Sequence, residues 1–522
     1  MSNQPQKDVW ENDLEHHIRQ CPCTCNHLGY GNYWDYEVGS STAKLQDARR
    51  TTGEYNQSSS LRISSNDHHS LFQIQNGQLN VVENGETISV DNASTTSREE
   101  LTSKQWMILI GVLMFATATG VGVAVPLALK SGASIEERLA VAKRILSTSP
   151  LIDGHNDLPW NIRKLGRGKL SEVQLDNMEY FRTQHVWARS DWTHTDLVRL
   201  KKGHVAAQFW AAYVPCEAQD LDAVRLTLEQ IDIIKRMTIQ YSNYLTLVNT
   251  SQGIEDAFKN GKIASILGVE GGHLIGNSLG VLRMYYDLGV RMLTLTHTCS
   301  TPWADTAMRE SGKEQFLFPS KKQGITAYGK GVIKEMNRLG MLIDLSHVSK
   351  ATMHDVLAGS CAPVVFSHSS ARALCNTTRN VPDEVLKKLP ANGGIVMVSF
   401  YSFFLTCNKT STLNDVVGHI NYIRHLVGVD HIGIGAGYDG INSTPKGLED
   451  VSKYPYLFAE LLKDPTWTEE DLKKLAGTNF LRVFRQVEKI RDEWSKAEVL
   501  PEELTILPED IRGHEQCFYR IG

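Results

Sequence analysis

The stretch LIDGHNDLPWNIR, residues 151–163, places a histidine and a carboxylate two positions apart directly after a short apolar run. If Leu151 and Ile152 belong to a buried strand, His155 and Asp157 point to the same side of it, because strand side chains alternate with a period of two. Both could then bind one metal ion. An isolated His-x-Asp is also common in surface loops, so the rest of the chain has to decide between the two interpretations.

The composition indicates a large globular protein. The chain has 522 residues, of which 41% are hydrophobic and 22% charged, and this is enough for a sizeable core. The net charge is −5 at pH 7, and no basic tract interrupts this near-balance. Nucleic-acid binding needs a concentrated basic surface, so we expect no nucleic-acid partner.

The first 130 residues differ in composition from the rest. Residues 1–104 are rich in Ser, Asn, Gln and Thr and are predicted to form a disordered cytoplasmic tail. Residues 105–130 contain the uncharged run Trp106–Leu129, which is long enough to cross a lipid bilayer as a helix. A buried core helix is the alternative, but the run has no polar face. We therefore predict a transmembrane signal-anchor helix.

Glycosylation signals and cysteines favour an oxidising compartment for the part that follows this helix. Asn-x-Ser/Thr triplets occur at Asn249, Asn376, Asn408 and Asn442. The cysteines that sit at the ends of apolar runs, where neighbouring loops could pair them, are Cys216, Cys299, Cys375 and Cys407. The tail cysteines, interpreted as a reduced and solvated cluster, are Cys21, Cys23 and Cys25. The prediction is a single-pass type II membrane protein whose larger part is extracellular or lumenal.

From about residue 134 the chain alternates short β-type apolar runs with amphipathic helical stretches, as repeated βα units do. The eight runs are residues 151–153, 206–214, 264–269, 291–296, 341–345, 363–367, 393–400 and 431–436. Helical spacing is clear in Leu221–Gln240 and Gly329–Gly340. This order predicts an α/β fold, a (β/α)8 TIM-type barrel over residues 131–522. A doubly wound open sheet is the alternative, but no glycine-rich nucleotide loop follows the first run.

Residues of metal-binding type follow five of the predicted strands. They are His155 and Asp157 after the first strand, Glu270 after the third, His297 after the fourth, His347 after the fifth and His368 after the sixth. Each alone is explained as a hydrogen-bonded or capping residue at a strand end. Together at one end of a barrel, they predict a site for zinc or a similar divalent ion. Paired ions acidify water and polarise carbonyl groups, which predicts hydrolysis of an amide or ester.

Longer motifs surround these residues. They are DGHNDLPW (153–160), GVEGGH (268–273), LTHTCSTPWAD (295–305), IDLSHVS (343–349), FSHSSA (366–371) and GLEDVSKYP (447–455). The motifs closely resemble those of the membrane (renal) dipeptidases, binuclear zinc peptidases built on a (β/α)8 barrel. The resemblance extends from about residue 135 to the C-terminus. It implies hydrolysis of dipeptides, which in that family include dipeptides formed from glutathione and cysteinyl leukotrienes.

The resemblance also implies a set of metal ligands for two Zn²⁺ ions per chain. One ion would be bound by His155 and Asp157, and the other by His347 and His368. Glu270 would bridge the two ions, and this makes it both a ligand and a catalytic residue.

Other matched residues would contact the substrate or form disulfides. His297 matches a histidine that stabilises the tetrahedral oxyanion, and Arg379 matches an arginine that holds the substrate carboxylate. The implied disulfides are Cys216 with Cys299 and Cys375 with Cys407. Cys517 matches a cysteine that joins two subunits in relatives, which implies a disulfide-linked homodimer.

Two features depart from the family pattern. Where the family has Gly-Gly-Asp-x-Asp-Gly, residues 435–440 read GAGYDG, so Gly437 replaces the Asp that binds the substrate amine and handles protons. Asp439 keeps the second Asp and is the candidate catalytic substitute, about 7 Å farther along a strand that rises about 3.3 Å per residue. The sequence ends in HEQCFYRIG, which predicts that no C-terminal GPI anchor is present and that the N-terminal helix is the anchor.

Two functions are compatible with this pattern. One is a membrane-anchored zinc dipeptidase whose turnover is weakened by Gly437. The alternative is a surface receptor or adhesion ectodomain that kept the barrel and its metals but lost efficient catalysis. Gly437 separates the two, because every other matched ligand is retained. We expect the enzyme, since the loss of one proton-handling group leaves residual catalysis.

Overall fold

The structure is a computed structural model that describes residues 71–75, 78–83, 86–87, 132–176, 193–312 and 323–511. The predicted membrane span, most of the predicted tail, the tail cysteines and Cys517 lie outside these residues. Among the helices that are described, none is both long and apolar enough to cross a bilayer.

A small antiparallel sheet lies within the segment predicted to be disordered. Its three strands are Leu71–Gln75, Gln78–Glu83 and Glu86–Thr87, and the first two pair from Leu71 opposite Val82 to Gln75 opposite Gln78. The disorder prediction therefore missed a hairpin signal. The two runs flank Asn76-Gly77, a dipeptide favoured in two-residue hairpin loops.

Eight parallel strands close into a barrel, as predicted. They are β1 (Leu151–Asn156), β2 (Val205–Tyr213), β3 (Ile263–Glu270), β4 (Val290–Thr294), β5 (Leu342–Asp344), β6 (Val364–Phe366), β7 (Ile395–Val398) and β8 (Ile432–Ile434). Each strand pairs with the next, and Ile434 of β8 pairs with Asp153 of β1 to complete the circle. A further short strand, Leu245–Leu247, pairs with β3 outside the closed ring. The (β/α)8 prediction is confirmed, and all eight strands coincide with the predicted apolar runs.

Helices connect the strands and surround the barrel. The described ones are α1 (Ile135–Thr148), α2 (Leu158–Gly166), α3 (Leu197–Lys202), α4 (Ala223–Gln240), α5 (Ser251–Lys259), α6 (Leu279–Asp287), α7 (Ala307–Glu310), α8 (Ala327–Leu339), α9 (Lys350–Gly359), α10 (Asp383–Leu386), α11 (Leu389–Asn392), α12 (Ser402–Leu405), α13 (Leu413–Val427), α14 (Tyr454–Leu461), α15 (Glu469–Lys473) and α16 (Asn479–Lys496). Short 3-10 turns and a π-helical segment, Lys474–Thr478, complete the connections.

Local sequence explains where the two predicted helices begin and end. Helix α4 begins two residues later than predicted and ends at Gln240 as expected. Helix α8 begins after Thr326, whose side chain accepts a hydrogen bond from the N–H of Gly329. It ends at Leu339 and is followed by Gly340, where φ is +76°, a conformation that glycine adopts without strain.

A cluster of buried apolar side chains fills the inside of the barrel. Its strand members recur at every second position, as Ala264 and Ile266 do in β3, so they share one face of the sheet. Helix α16 contributes Phe480, whose ring centroid lies 5.2 Å from that of Phe209 in β2. A larger cluster packs the other face of the sheet against the helices. The interior is therefore a packed core, as this fold requires.

The interior face becomes polar toward the carboxyl ends of the strands. In β3 the alternation continues from Ile266 through Gly268 to Glu270, and in β4 it passes from Met292 to Thr294. In β5 the alternation passes from Leu342 to Asp344, and Val365 of β6 is followed two positions later by Ser367. Parallel strands have their carboxyl ends at one rim of the barrel, so polar side chains from several strands meet there.

Two disulfides tie the loops at this rim. Cys216 after β2 is bonded to Cys299 after β4, and Cys375 after β6 is bonded to Cys407 after β7. These are the pairings that the family resemblance implies. Cys361 is a free, exposed thiol.

We expect removal of Cys216–Cys299 to destabilise the fold more than removal of Cys375–Cys407. The first bond joins residues 83 apart and the second residues 32 apart. Loss of a native disulfide typically costs about 2–5 kcal/mol, and the longer loop adds about 0.8 kcal/mol through chain entropy. Denaturant unfolding of the two double Cys→Ala variants checks this, and a larger loss for the shorter loop contradicts it.

Candidate metal centre

Four histidines and one glutamate meet at the carboxyl ends of the barrel strands. The Oε1 atom of Glu270 lies 3.2 Å from Nε2 of His347, and 3.5 Å from Nε2 of both His155 and His368. Nε2 of His297 is 3.9 Å from the same oxygen. All five side chains are buried. The structure thus gathers around one carboxylate oxygen residues from the carboxyl ends of β1 and β3 and from the loops after β4, β5 and β6.

Asp157 joins this group from the position just before helix α2. Its Oδ2 lies 3.1 Å from Nε2 of His155, so the two side chains are on the same side, as strand alternation predicts. The main-chain N–H of Asp157 donates to the carbonyl of Tyr438 after β8. A Cβ atom at position 440 would lie only 1.9 Å from Oδ2 of Asp157. Glycine at 440 therefore leaves the space that this carboxylate occupies.

His347 is held in an uncommon backbone conformation. Its φ is +73°, in the left-handed region that few non-glycine residues adopt. Its carbonyl accepts hydrogen bonds from the N–H of Ala307 at 2.7 Å and from the hydroxyl of Thr296 at 3.2 Å. These bonds hold the backbone in place, as surrounding structure does for strained residues at functional sites.

Burial sets the charge of most of these imidazoles. Desolvation, reinforced by the nearby Arg379 guanidinium, lowers the pKa well below the usual value for His297, His347 and His368. All three are therefore neutral near pH 7. Burial also opposes a charge on His155, but there the carboxylates of Glu270 and Asp157 outweigh it and raise the pKa. Neutral imidazoles offer a lone pair, and this is the form that binds metal ions.

The donor set fits divalent metal ions. Within this cluster, two groups of three side chains have potential ligand atoms within 4.8 Å of one another, and Glu270 belongs to both groups. One group adds His155 and His368, and the other adds His297 and His347. Imidazole nitrogen combined with carboxylate oxygen is typical of zinc sites. That Glu270 bridges two ions stays a prediction.

This grouping differs from the assignment that the family resemblance implies, in which His347 and His368 share an ion. The ring of His368 stacks on that of His155 with 3.8 Å between centroids, and the rings of His297 and His347 are 4.3 Å apart. Nε2 of His347 and Nε2 of His368 are nevertheless only 2.9 Å apart. All four histidines are thus mutually close, and their distribution between two ions stays a prediction.

Arg379 lies beside this cluster as a buried cation. Its Nη1 is 3.5 Å from Oγ of Ser369, and its Nη2 is 3.5 Å from the carbonyl of His368. The guanidinium also lies over the ring of Phe404, 4.9 Å from its centroid. A guanidinium in this place can donate two parallel hydrogen bonds to a carboxylate.

The loop after β8 contributes Gly437 and Asp439. The N–H of Gly437 donates to the carbonyl of His155 at 3.2 Å, so this position adjoins the cluster. Oδ1 of Asp439 accepts a hydrogen bond from the side chain of Asn161 of α2 at 3.1 Å. The main-chain N–H of Asp439 donates to Nδ1 of His194 at 3.0 Å. Burial raises the pKa of Asp439 to about 7. Its carboxyl is thus anchored to α2, and its catalytic role stays a prediction.

Sequence reasoning missed several polar residues that support the cluster. Asp344, inside the IDLSHVS motif, accepts hydrogen bonds from the hydroxyls of Thr294 and Ser367. Strand alternation was the available signal. Thr294, Asp344 and Ser367 each lie two positions after an apolar residue that faces the interior of the barrel. His194 and Asn161 gave no local signal, since both are recognised only through contact with Asp439.

The remaining predicted sites are the glycosylation asparagines and Cys517. The glycosylation asparagines are all exposed: Asn249, Asn376, Asn408 and Asn442. Cys517 is outside the part of the chain that the structure describes.

Comparison with known proteins identifies the family. A model of the family described as "Membrane dipeptidase (Peptidase family M19)" matches residues 139–498, a range that contains all eight barrel strands. Dipeptidase 3 of Rattus norvegicus is 47% identical over 352 residues, which cover 67% of this chain and 68% of the rat protein. Dipeptidase 3 of Homo sapiens is also 47% identical over 352 residues, with 67% and 68% covered.

Solved structures of similar proteins agree with this match. A metallo peptidase from Rhodobacter sphaeroides, liganded with a phosphinate mimic of the dipeptide L-Ala-D-Ala, is 25% identical with a TM-score of 0.55. The dipeptidase AC, a metallo peptidase of family M19, is 26% identical with a TM-score of 0.54. Both alignments cover 65% of this chain and 99% of the other. The chain therefore belongs to the membrane dipeptidase family, the metallopeptidases of family M19.

Proposed function

We propose that the chain is a membrane-anchored zinc dipeptidase that hydrolyses the peptide bond of dipeptides. The observation that carries the proposal is the convergence of four histidine Nε2 atoms on Oε1 of Glu270. The membership of a dipeptidase family supports the reaction. The substrate class is supported by the related Rhodobacter sphaeroides metallo peptidase, which is liganded with a mimic of a dipeptide.

Two Zn²⁺ ions per chain would be held by His155, Asp157, Glu270, His347 and His368. When bound, such ions polarise a carbonyl group and lower the pKa of water toward neutrality. The chain itself contributes a buried arrangement of ligands. Burial keeps two of the proposed ligands, His347 and His368, neutral and therefore ready to bind.

His297 would stabilise the oxyanion that develops on the attacked carbonyl. It is neutral near pH 7, because burial lowers its pKa well below the usual value. Its Nδ1 lies 3.2 Å from Oγ1 of Thr298. A hydroxyl that donates to Nδ1 places the imidazole proton on Nε2, which faces the cluster. A donor fixed in advance at this place favours the transition state over the substrate.

Arg379 would hold the carboxylate of the dipeptide. We expect Arg379→Ala to raise KM for a dipeptide by about 10- to 100-fold, because a hydrogen bond to a charged group contributes about 1.5–3 kcal/mol. The effect on kcat should be small, since the contact forms equally in substrate and transition state. Steady-state kinetics on a dipeptide and on its C-terminal amide, which lacks the carboxylate, measure this. An equal KM change with both substrates contradicts the assignment.

The proposed cellular arrangement places the barrel outside the cytoplasm. The run Trp106–Leu129 would anchor the chain as a type II membrane protein, with residues 1–104 as its cytoplasmic tail. The two disulfides support an oxidising compartment for the barrel, and the exposed sequon asparagines are accessible to glycosylation. Cys517 would link two copies into a homodimer.

The test uses the full-length protein, purified in detergent. Zinc per chain is measured by elemental analysis, and hydrolysis is measured on a panel of dipeptides. We expect two zinc ions per chain, loss of hydrolysis with a zinc chelator, and recovery when zinc is added back. A protein that takes up no zinc, or hydrolyses equally well without it, contradicts the proposal.

A second function is favoured by one observation, the glycine at position 437. A receptor-like protein would bind zinc and a phosphinate dipeptide mimic but would not turn over dipeptides. Calorimetric binding of the mimic, measured beside the hydrolysis rate, separates this function from the enzyme.

A further inference from the structure

Asp344 lies inside the barrel near the histidines and is fully buried. Its Oδ1 accepts the main-chain N–H groups of Ser346 and Ser367 at 3.0 and 2.9 Å. Its Oδ2 accepts the hydroxyls of Thr294 and Ser367, both at 2.6 Å. Each oxygen thus accepts two hydrogen bonds, which is the full capacity of an ionised carboxylate.

Ser367 connects this carboxylate to one histidine of the metal centre. Its Oγ lies 2.7 Å from Nδ1 of His368. A hydroxyl has one proton, and Ser367 donates that proton to Asp344, so toward His368 its oxygen can only accept. Nδ1 of His368 therefore carries the imidazole proton, and the lone pair is on Nε2.

That lone pair points into the metal centre. Nε2 of His368 is 3.5 Å from Oε1 of Glu270 and 2.9 Å from Nε2 of His347. A neutral histidine free to choose its tautomer would place a proton on Nε2 and donate toward the carboxylate. The contact with Ser367 excludes that tautomer. Nε2 of His368 and Oε1 of Glu270 then face each other as two acceptors, an arrangement that a cation between them stabilises.

The neighbouring His347 lacks such a connection. Its Nδ1 is buried and has no hydrogen-bond partner among the residues that the structure describes. Its main-chain carbonyl accepts the hydroxyl of Thr296, which holds the backbone but not the ring. Of these two adjacent imidazoles, only that of His368 has its Nδ1 in contact with Ser367.

We propose that Asp344 and Ser367 are positioning residues that act through a hydrogen-bonded relay to fix the tautomer and ring orientation of His368 for metal binding. The inference rests on the proposed function, because it requires a metal ion at His368. Loss of such a partner of a metal-binding histidine typically weakens metal binding by about 10- to 100-fold.

The test compares Ser367→Ala with Thr294→Val in the full-length protein. Each variant removes one buried hydroxyl that donates to Oδ2 of Asp344 at 2.6 Å, but only Ser367 also contacts His368. Zinc dissociation constants are measured by competition with a chromophoric chelator. We expect Ser367→Ala to bind zinc about 10- to 100-fold more weakly, and Thr294→Val to stay within about threefold of the unaltered protein. Both should lower the melting temperature to a similar extent.

A spectroscopic measurement reports the tautomer directly. In the Co²⁺-loaded protein, the N–H protons of bound imidazoles give shifted NMR signals that exchange with water. We expect one slowly exchanging signal to be lost or to exchange faster in Ser367→Ala and to persist in Thr294→Val. If Ser367→Ala does not fold, Ser367→Cys keeps the side-chain shape with a weak hydrogen-bonding sulfur, and the same loss of affinity is expected.

Three outcomes overturn the inference. Unchanged zinc affinity in the Ser367 variant shows that the relay does not position His368. Equal weakening in Thr294→Val shows that the effect is general destabilisation around Asp344. Absence of zinc binding by the unaltered protein overturns the proposed function itself, and this inference with it.

Discussion

Glu270→Gln is expected to reduce dipeptide hydrolysis by about 10³-fold or more and to lower the zinc content of the purified protein. Oε1 of Glu270 lies within 3.9 Å of all four histidine Nε2 atoms. Glutamine keeps the shape but removes the charge that a bridging ligand supplies to two cations. Metal ions contribute several kcal/mol to transition-state stabilisation, and each 1.4 kcal/mol corresponds to a tenfold change in rate.

The matched control is Glu335→Gln on helix α8. Glu335 is also fully buried, but it pairs with Arg283 and Arg338, away from the metal centre. This variant should lose stability, since it leaves two guanidinium groups with weaker partners, while its zinc content per folded chain stays unchanged. If Glu270→Gln keeps both zinc ions and most of its activity, the glutamate is not a bridging ligand.

The barrel was predictable from the sequence because its strands are encoded locally. Each apolar run carries the β-type composition of a buried parallel strand, and the run from 264 to 269 became β3 almost without change. The candidate ligands were predictable for a related reason. In this fold the residue after each strand is at the same rim, so sequence position after a run already implies spatial proximity.

The supporting contacts were not predictable, because they join residues that are distant in the chain. Asn161 reaches Asp439 across 278 positions, and no local pattern marks that pairing. The relay from Asp344 through Ser367 depends on the register between β5 and β6, in which Val365 lies opposite Asp344. Register follows from packing of the whole sheet, so only the structure reveals which polar residues meet.

Gly437→Asp is expected to raise dipeptide turnover by about 10²- to 10⁴-fold, the usual contribution of a positioned acid or base. In the family that this chain resembles, the position that corresponds to Gly437 carries an Asp that binds the substrate amine. The structure has room for the side chain: a Cβ atom at 437 would lie 3.6 Å from Cγ2 of Ile441 and 3.9 Å from Oγ of Ser399, both ordinary contacts. The φ of +78° costs an L-residue about 1–2 kcal/mol, and Asp is among the residues that tolerate it best.

Gly437→Asn is the control that isolates the carboxylate. Asparagine has nearly the same shape and tolerates the same left-handed backbone, but it cannot exchange a proton with the substrate. A rate increase with Asp and none with Asn indicates a metal centre that is intact but lacks its proton-handling group. An unaltered protein that already turns over dipeptides rapidly, and gains nothing from Asp, contradicts the expectation. In that case another group handles the proton, and Asp439 becomes the next residue to replace, because its pKa of about 7 suits proton exchange near neutral pH.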